Sequence, residues 1–229
     1  MAKNVKRVKK RKLNFLKVII FILIIYLLIH AGLYLSNINV KNIVIKNTNY
    51  LSDTEVIKIA GLTDYPSFFR TSTRKIEKKL EEEPLIKEAD VKRKWGFIFE
   101  LNIKEEKILY KRRNDNVYVL GSGEEISIKN NLSGVATLIN YTPKNISKKL
   151  NKKLNEIDNN ILNKISEIEY APNKTDEERF LLYMNDGNQV YITLTKTDEL
   201  NYYVDIVKKL GGKKGILNLD SGSYFEVKE

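Results

Sequence analysis

Residues 43–62 read IVIKNTNYLSDTEVIKIAGL, and the period of this stretch changes half-way along it. Val40, Ile43 and Ile45 give the alternation of a short strand. Ser52 and Glu55 then stand three residues apart. At that spacing a hydroxyl and a carboxylate each satisfy an orphan amide of a first helical turn. Val56, Ile59 and Ala60 fall on one face of the helix so begun, and Gly61 is placed to end it. The stretch is a strand that turns into a short helix.

Residues 63–110 extend that pattern. A linker with Pro66 leads to STRKIEKKLEEEP, where Ile76 and Leu80 face inward, the charges face water and Pro84 stops the helix. In ADVKRKWGFIFELNIKEEKILY every second position is apolar: Val91 and Trp95, then Phe97, Phe99, Leu101 and Ile103, with KWG as the turn between two strands. Trp95, Phe97 and Phe99 could form a binding shelf, but at strand alternation they are read as core. The order strand, helix, helix, strand, strand predicts helices on one face of a small sheet.

Towards the N-terminus the chain becomes basic and then apolar. Up to Ser36 there are eight Lys or Arg and no acid, whereas the remainder carries 32 basic against 29 acidic residues. The formal charge of +11 therefore belongs mostly to one tail, which argues against a nucleic-acid groove. Val18–Leu35 holds no Lys, Arg, Asp or Glu, and as a helix it is about 27 Å long, close to a bilayer's hydrocarbon thickness. The run exceeds a signal-peptide core and no small-x-small cleavage site follows, so an uncleaved anchor is expected. The positive-inside rule places the tail in the cytoplasm and the rest across the membrane.

Residue inventory removes most enzymes. No Cys occurs, and His30, the only histidine, lies in the apolar run. Thiolate sites, disulfides, His-based zinc sites and Ser-His-Asp triads are excluded. No cofactor and no metal is called for, and no catalytic residue is assigned. Carboxylate runs at Glu81–Glu83 and Glu105–Glu106 read as solvated faces. GGKKG, residues 211–215, follows a helix and lacks a P-loop ending, so it reads as a helix terminus with a basic turn. The sequons at Asn131, Asn145 and Asn173 matter only in a glycosylating pathway.

A second unit begins near Leu109. NVYVLGSGEEI reads as a hairpin through Gly121–Gly123. Leu150, Leu154, Ile157, Ile161, Leu162 and Ile165 stand at helical spacing, and RFLLYMNDGNQVYITL is a hairpin turning near Asp186-Gly187. Thr195 and Asp198 have capping spacing before Leu200, Tyr203, Val204, Val207 and Leu210. GILNLDSGSYFEV supplies a last strand pair.

The segments IVIKNTNYLSDTEVIKIAGL, IEKKLEEEPLIKEADVKRKW and FELNIKEE resemble the POTRA module of the bacterial cell-division family FtsQ/DivIB. The turn at Asn47–Asn49, the helix start at Ser52 and Glu55, Pro84, Trp95 and Glu105 stand at the family's landmarks. Glu106 and Ile108 depart from them, replacing a basic residue and a proline. The second unit resembles, more loosely, the β domain that follows. The resemblance implies an α+β chain divided as a cytoplasmic tail (1–17), a transmembrane helix (18–36) in contact with lipid, a POTRA domain (37–108) and a β domain with a mostly antiparallel sheet (109–229). It further implies a non-enzymatic, single-pass scaffold of the division machinery that recruits or stabilises septal wall-synthesis proteins. Its partners would be bitopic division proteins resembling FtsL and FtsB/DivIC, met outside the membrane.

For such contacts the C-terminal strands are the candidate edge, where a partner adds a strand. Leu217 and Leu219 are read on one face, Phe225 and Val227 on another, and Tyr224 as an amphipathic contact, with ordinary core packing as the other reading of these residues. Two other functions fit the residue inventory. An extracytoplasmic glycan hydrolase would need two acids roughly 5–10 Å apart in a cleft. A POTRA-type polypeptide-transport accessory would continue into a β-barrel, for which the chain after about residue 110 leaves no room.

Overall fold

The computed structural model describes residues 15–128 and 132–228; the cations from Lys3 to Lys12 and the sequon at Asn131 lie outside them. Helix α1 (Phe15–Ser36) has no buried residue. At 22 residues it is roughly 33 Å long, enough to cross a hydrocarbon layer. Among the described residues it is the one helix long and apolar enough to do so.

The first unit runs β1 (Asn42–Lys46), α2 (Asp53–Ala60), α3 (Thr73–Glu81), β2 (Ile86–Lys94) and β3 (Ile98–Glu105). Its sheet has the order β1-β3-β2, β1 parallel and β2 antiparallel to the central β3. The Ser52–Glu55 spacing does what it promised: Ser52 N donates to Glu55 at 2.9 Å and Glu55 N donates back to Ser52 Oγ at 3.3 Å. The Ser52 hydroxyl, which also donates to the Glu55 carboxylate at 2.7 Å, and after it the Ser52 amide hold the Glu55 carboxyl below its usual range. Gly61 ends α2 at φ 69°, a left-handed conformation that suits glycine. Val56, Ala60, Ile76 and Leu80 from the helices meet Phe99, Leu101 and Ile103 from the sheet in one core.

Trp95 breaks the alternation read from the sequence. Phe99 is buried and Phe97 half-buried, but Trp95 is 99% exposed. β2 ends at Lys94, and the turn sets Gly96 and Phe97 at φ 88° and 62°. Two left-handed residues in a row reset the two-residue period, so a side chain before the turn does not predict the face of one after it.

The second unit contains β4 (Ile108–Arg112), β5 (Val117–Leu120), β6 (Glu125–Ser127), β7 (Thr137–Leu138), α4 (Lys144–Glu156), α5 (Asn159–Leu162), β8 (Ile165–Tyr170), β9 (Arg179–Met184), β10 (Gln189–Thr193), α6 (Tyr203–Lys209), β11 (Gly215–Asn218) and β12 (Tyr224–Val227). Its nine strands lie in the order β12-β11-β10-β9-β8-β7-β4-β5-β6, mostly antiparallel. Ile146, Leu150 and Leu154 of α4, with Leu200 and Tyr203, pack on the sheet through Ile168, Phe180, Leu182 and Val190.

Two helical expectations need correction here. The apolar series from Leu150 to Ile165 is not one helix: Ile157 adopts ψ 146° and ends α4, α5 is a separate turn, and Ile165 already opens β8. Asp158, Asn159 and Asn160 between them compete for backbone bonds and favour such a break. Thr195 and Asp198 do not cap a helix either. They lie inside a 3₁₀ segment, Leu194–Tyr202, whose preceding residue Thr193 makes no side-chain cap bond.

The two units meet in a small core of Leu85, Ile108, Tyr118 and Leu120, against which Tyr50 and Leu51 pack. The Glu105–Glu106 pair is not a solvated face. Glu105 accepts the backbone amides of Asn49, Tyr50 and Leu51 at 2.8 to 3.0 Å, and Glu106 is buried. One carboxylate thus closes the β1–α2 connection against the end of β3.

Candidate docking edge

The nine-stranded sheet ends at β12, and its construction starts one strand inward. Asn188, 1% exposed, uses both ends of its amide: it donates to Tyr203 Oη at 3.1 Å and accepts from Gly215 N at 3.0 Å. Tyr203 donates in turn to Asp186 at 2.9 Å. Burial first, and the Asp186 carboxylate after it, push the Tyr203 hydroxyl well above its ordinary pKa. This chain of bonds fixes α6, the β9–β10 turn and the start of β11 together. β11 then runs parallel to β10.

Gly215 is required at that start. A Cβ there would sit 1.9 Å from the carbonyl oxygen of Glu226. The strand after it places Leu217 and Leu219 at 3% and 1% exposure, within the main core.

The connection to β12 is fastened by an ion pair. Arg179 Nε lies 2.6 Å from Asp220 Oδ2, with both side chains largely covered, and the Arg179 guanidinium stacks 3.6 Å from the Tyr191 ring centre. Burial raises the Asp220 pKa, but the Arg179 and Ser221 bonds outweigh it and hold the carboxyl below its usual range. Neither this pair nor the Asn188 network is visible in the sequence pattern. Arg179 and Asp220 are separated by 41 positions, and NDGN was legible only as a turn.

β12 pairs antiparallel with β11, Ile216 opposite Glu226 and Leu217 opposite Phe225. Lys228 N donates to Lys214 O at 2.9 Å. Bonded pairs alternate in such a ladder, so Tyr224 and Glu226 turn their backbone groups inward, and Phe225 and Val227 turn theirs out. Among the described residues no strand and no side chain covers those outward groups. Phe225 shares the face of Leu217 rather than opposing it, because cross-strand partners project to the same side. It packs on the core, while Tyr224 and Val227 are 49% and 54% exposed. Of the five residues read as a docking group, Leu217 and Leu219 are inside, Phe225 is half-buried, and Tyr224 and Val227 line the edge.

Two clefts elsewhere hold acids in bonds. A cavity of about 470 Å³ contains Asp115 and Glu125, both gripped by the Arg112 guanidinium at 2.7 to 3.1 Å. Arg112 holds the Asp115 carboxyl below its ordinary pKa, the reverse of what a general acid needs. A second cleft, of about 420 Å³, contains Glu105, whose carboxylate is committed to backbone amides.

Two family models divide the chain between them: "POTRA domain, FtsQ-type" matches residues 38–106, and "Cell division protein FtsQ/DivIB, C-terminal" matches residues 108–225. The chain belongs to the FtsQ/DivIB family. It is 30% identical to cell division protein DivIB of Listeria monocytogenes over 97% of its length and 86% of the relative's. It is 29% identical to DivIB of Bacillus subtilis (97% and 88%) and 28% identical to DivIB of Bacillus cytotoxicus (98% and 91%). A solved extracytoplasmic domain of DivIB from Geobacillus stearothermophilus aligns with 47% of this chain and 96% of its own at 24% identity. Its TM-score is 0.40. Family membership and α1 together make this a single-pass membrane protein of the cell-division machinery.

Proposed function

We propose that this protein is a non-enzymatic scaffold that holds septal wall-synthesis proteins together by strand addition at β12. The partner strand comes from a bitopic division protein of the FtsL or FtsB/DivIC kind. The observation that carries the reading is the bare outer side of β12, with the backbone groups of Phe225 and Val227 turned to solvent at the end of a nine-stranded sheet. Such an edge offers main-chain bonds for affinity, and Tyr224 and Val227 offer exposed apolar surface for specificity. The committed carboxylates of Asp115, Glu125 and Glu105 support a non-catalytic role. The cations before α1 support a cytoplasmic N-terminus and an extracytoplasmic docking edge.

Capture of a FtsL- or DivIC-like partner by the full chain in nanodiscs tests this. Tyr224→Ala and Val227→Pro should each weaken capture, because one removes edge surface and the other removes an outward donor while sparing the β11 ladder. Undiminished capture by both variants would overturn the proposal.

A further inference from the structure

Trp95 is the only tryptophan in the chain and is 99% exposed, which no packing role explains. Its position in the fold gives a reason. The chain leaving α1 is bonded at once to the POTRA unit's loops. Ser67 Oγ donates to Ser36 O at 2.6 Å, Phe68 N to Ile38 O at 2.8 Å, Val40 N to Pro66 O at 3.0 Å and Lys41 N to Phe97 O at 2.9 Å. Residues 66–68 therefore lie beside the end of the membrane helix, and the Trp95–Phe97 turn lies beside Lys41, a few residues further along the chain. A helix of about 33 Å uses its length to cross the hydrocarbon, so Ser36 reaches the headgroup layer and these loops sit against it.

The chemistry of this end suits that layer. Phe69 is 46% exposed, and its ring lies 6.2 Å from that of half-buried Phe97. Lys41 Nζ stands 5.3 Å over the Phe97 ring, and the Arg93 guanidinium 5.8 Å from the Phe68 ring. Arg93 also donates to the carbonyls of Phe68 and Thr71, which ties the loop to β2. Arg70 is exposed between them. Aromatic rings interleaved with cations are the composition that membrane–water interfaces select. Cations near the surface also gain from anionic headgroups.

We propose that this end of the POTRA unit, led by Trp95 and Phe69, is seated in the headgroup layer of the bilayer that holds α1. Seating fixes the tilt of the extracytoplasmic domains over the membrane, and with it the height at which β12 is presented. The inference rests on α1 as a membrane helix and is independent of what β12 binds.

The single tryptophan makes the test direct. The full chain is reconstituted in vesicles of three parts phosphatidylcholine to one part phosphatidylglycerol, with and without lipid brominated near the top of the acyl chains. Trp95 emission should be blue-shifted relative to water-exposed tryptophan and quenched by the brominated lipid. Phe69→Ser combined with Arg70→Ser should lower that quenching about twofold, as the apolar and electrostatic contributions are removed together. Both positions are exposed, and an unchanged circular dichroism spectrum shows that the fold persists. Water-like, unquenched emission would overturn the proposal and leave the turn to a protein partner. Quenching that the double variant does not change would also overturn it, since tethering by α1 alone would then hold the tryptophan near the lipid.

Discussion

The protein has a three-stranded and a nine-stranded sheet, and it treats the edge strands β2 and β12 in opposite ways. In the POTRA unit the amides of Ala89 and Val91 in β2 are taken by side chains of α3. Glu81 accepts from Ala89 at 3.2 Å and Glu77 from Val91 at 3.0 Å. At β12 the corresponding groups of Phe225 and Val227 have no such cover among the described residues. Edge strands are templates for strand addition unless something occupies their donors. Two carboxylates four positions apart on α3 close the β2 edge. The short loop Leu219–Ser223 puts nothing over the second.

The sharpest way to break this comparison is behind the open edge. Leu217→Ala should destabilise the β domain by about 3 kcal/mol, because a buried leucine is lost with little room for collapse. A thermal melt that did not fall would show that β11 is not core. Arg179→Ala should cost slightly less, about 2 to 3 kcal/mol, since it leaves Asp220 covered and unpaired. That pair also sets a pH dependence. Asp220 has a lowered folded pKa, so its stabilisation is present above the ordinary carboxylate range and is lost as pH falls through the lowered value. The acid limb of the melting profile should flatten in Arg179→Ala; an identical limb in both proteins would remove the assignment.

At the closed edge the effect is smaller. Glu77→Ala with Glu81→Ala should cost about 1 kcal/mol per carboxylate. It should also speed hydrogen exchange at Ala89 and Val91 while leaving Phe225 and Val227 as fast as before. Exchange at Ala89 and Val91 that stayed slow would mean that the caps are not what protects β2. Tyr224→Ala should be smallest in stability, within about 0.5 kcal/mol, because the ring is half in water. Under the proposed strand addition its effect should fall on partner capture instead.

How much of this the sequence shows depends on distance along the chain. Ser52 and Glu55 carry their whole interaction in four letters, and the helix start forms as read. Thr195 and Asp198 have the same spacing and fail, because β10 runs directly into a 3₁₀ segment and no helix begins there. Leu150 to Ile165 keeps a helical period in its apolar residues, yet the core they fill is reached by a helix, a turn and a strand in succession. Periodicity reports which residues are buried more reliably than which backbone buries them. Trp95 shows the limit at a turn, where two positive φ angles cancel the inference from one strand to the next. The candidate docking edge is legible as a terminal strand pair. Its working side is not, since the facing of Phe225 and Val227 depends on the ladder register with β11. The Glu77 and Glu81 caps were likewise invisible, because nothing in EKKLE says that two acids reach across to a strand eight to fourteen positions on.

The measurement that tests the central claim most directly is the dissociation constant for a FtsL- or DivIC-like partner with the full chain carrying Val227→Pro, taken beside its melting temperature. Val227 is exposed and its amide points out of the sheet, so proline there removes one outward donor and leaves the bonds to β11 in place. The account predicts an affinity loss of about tenfold, the worth of one interfacial main-chain bond, with a melt unchanged within error. An unchanged dissociation constant with an unchanged melt would contradict strand addition at β12.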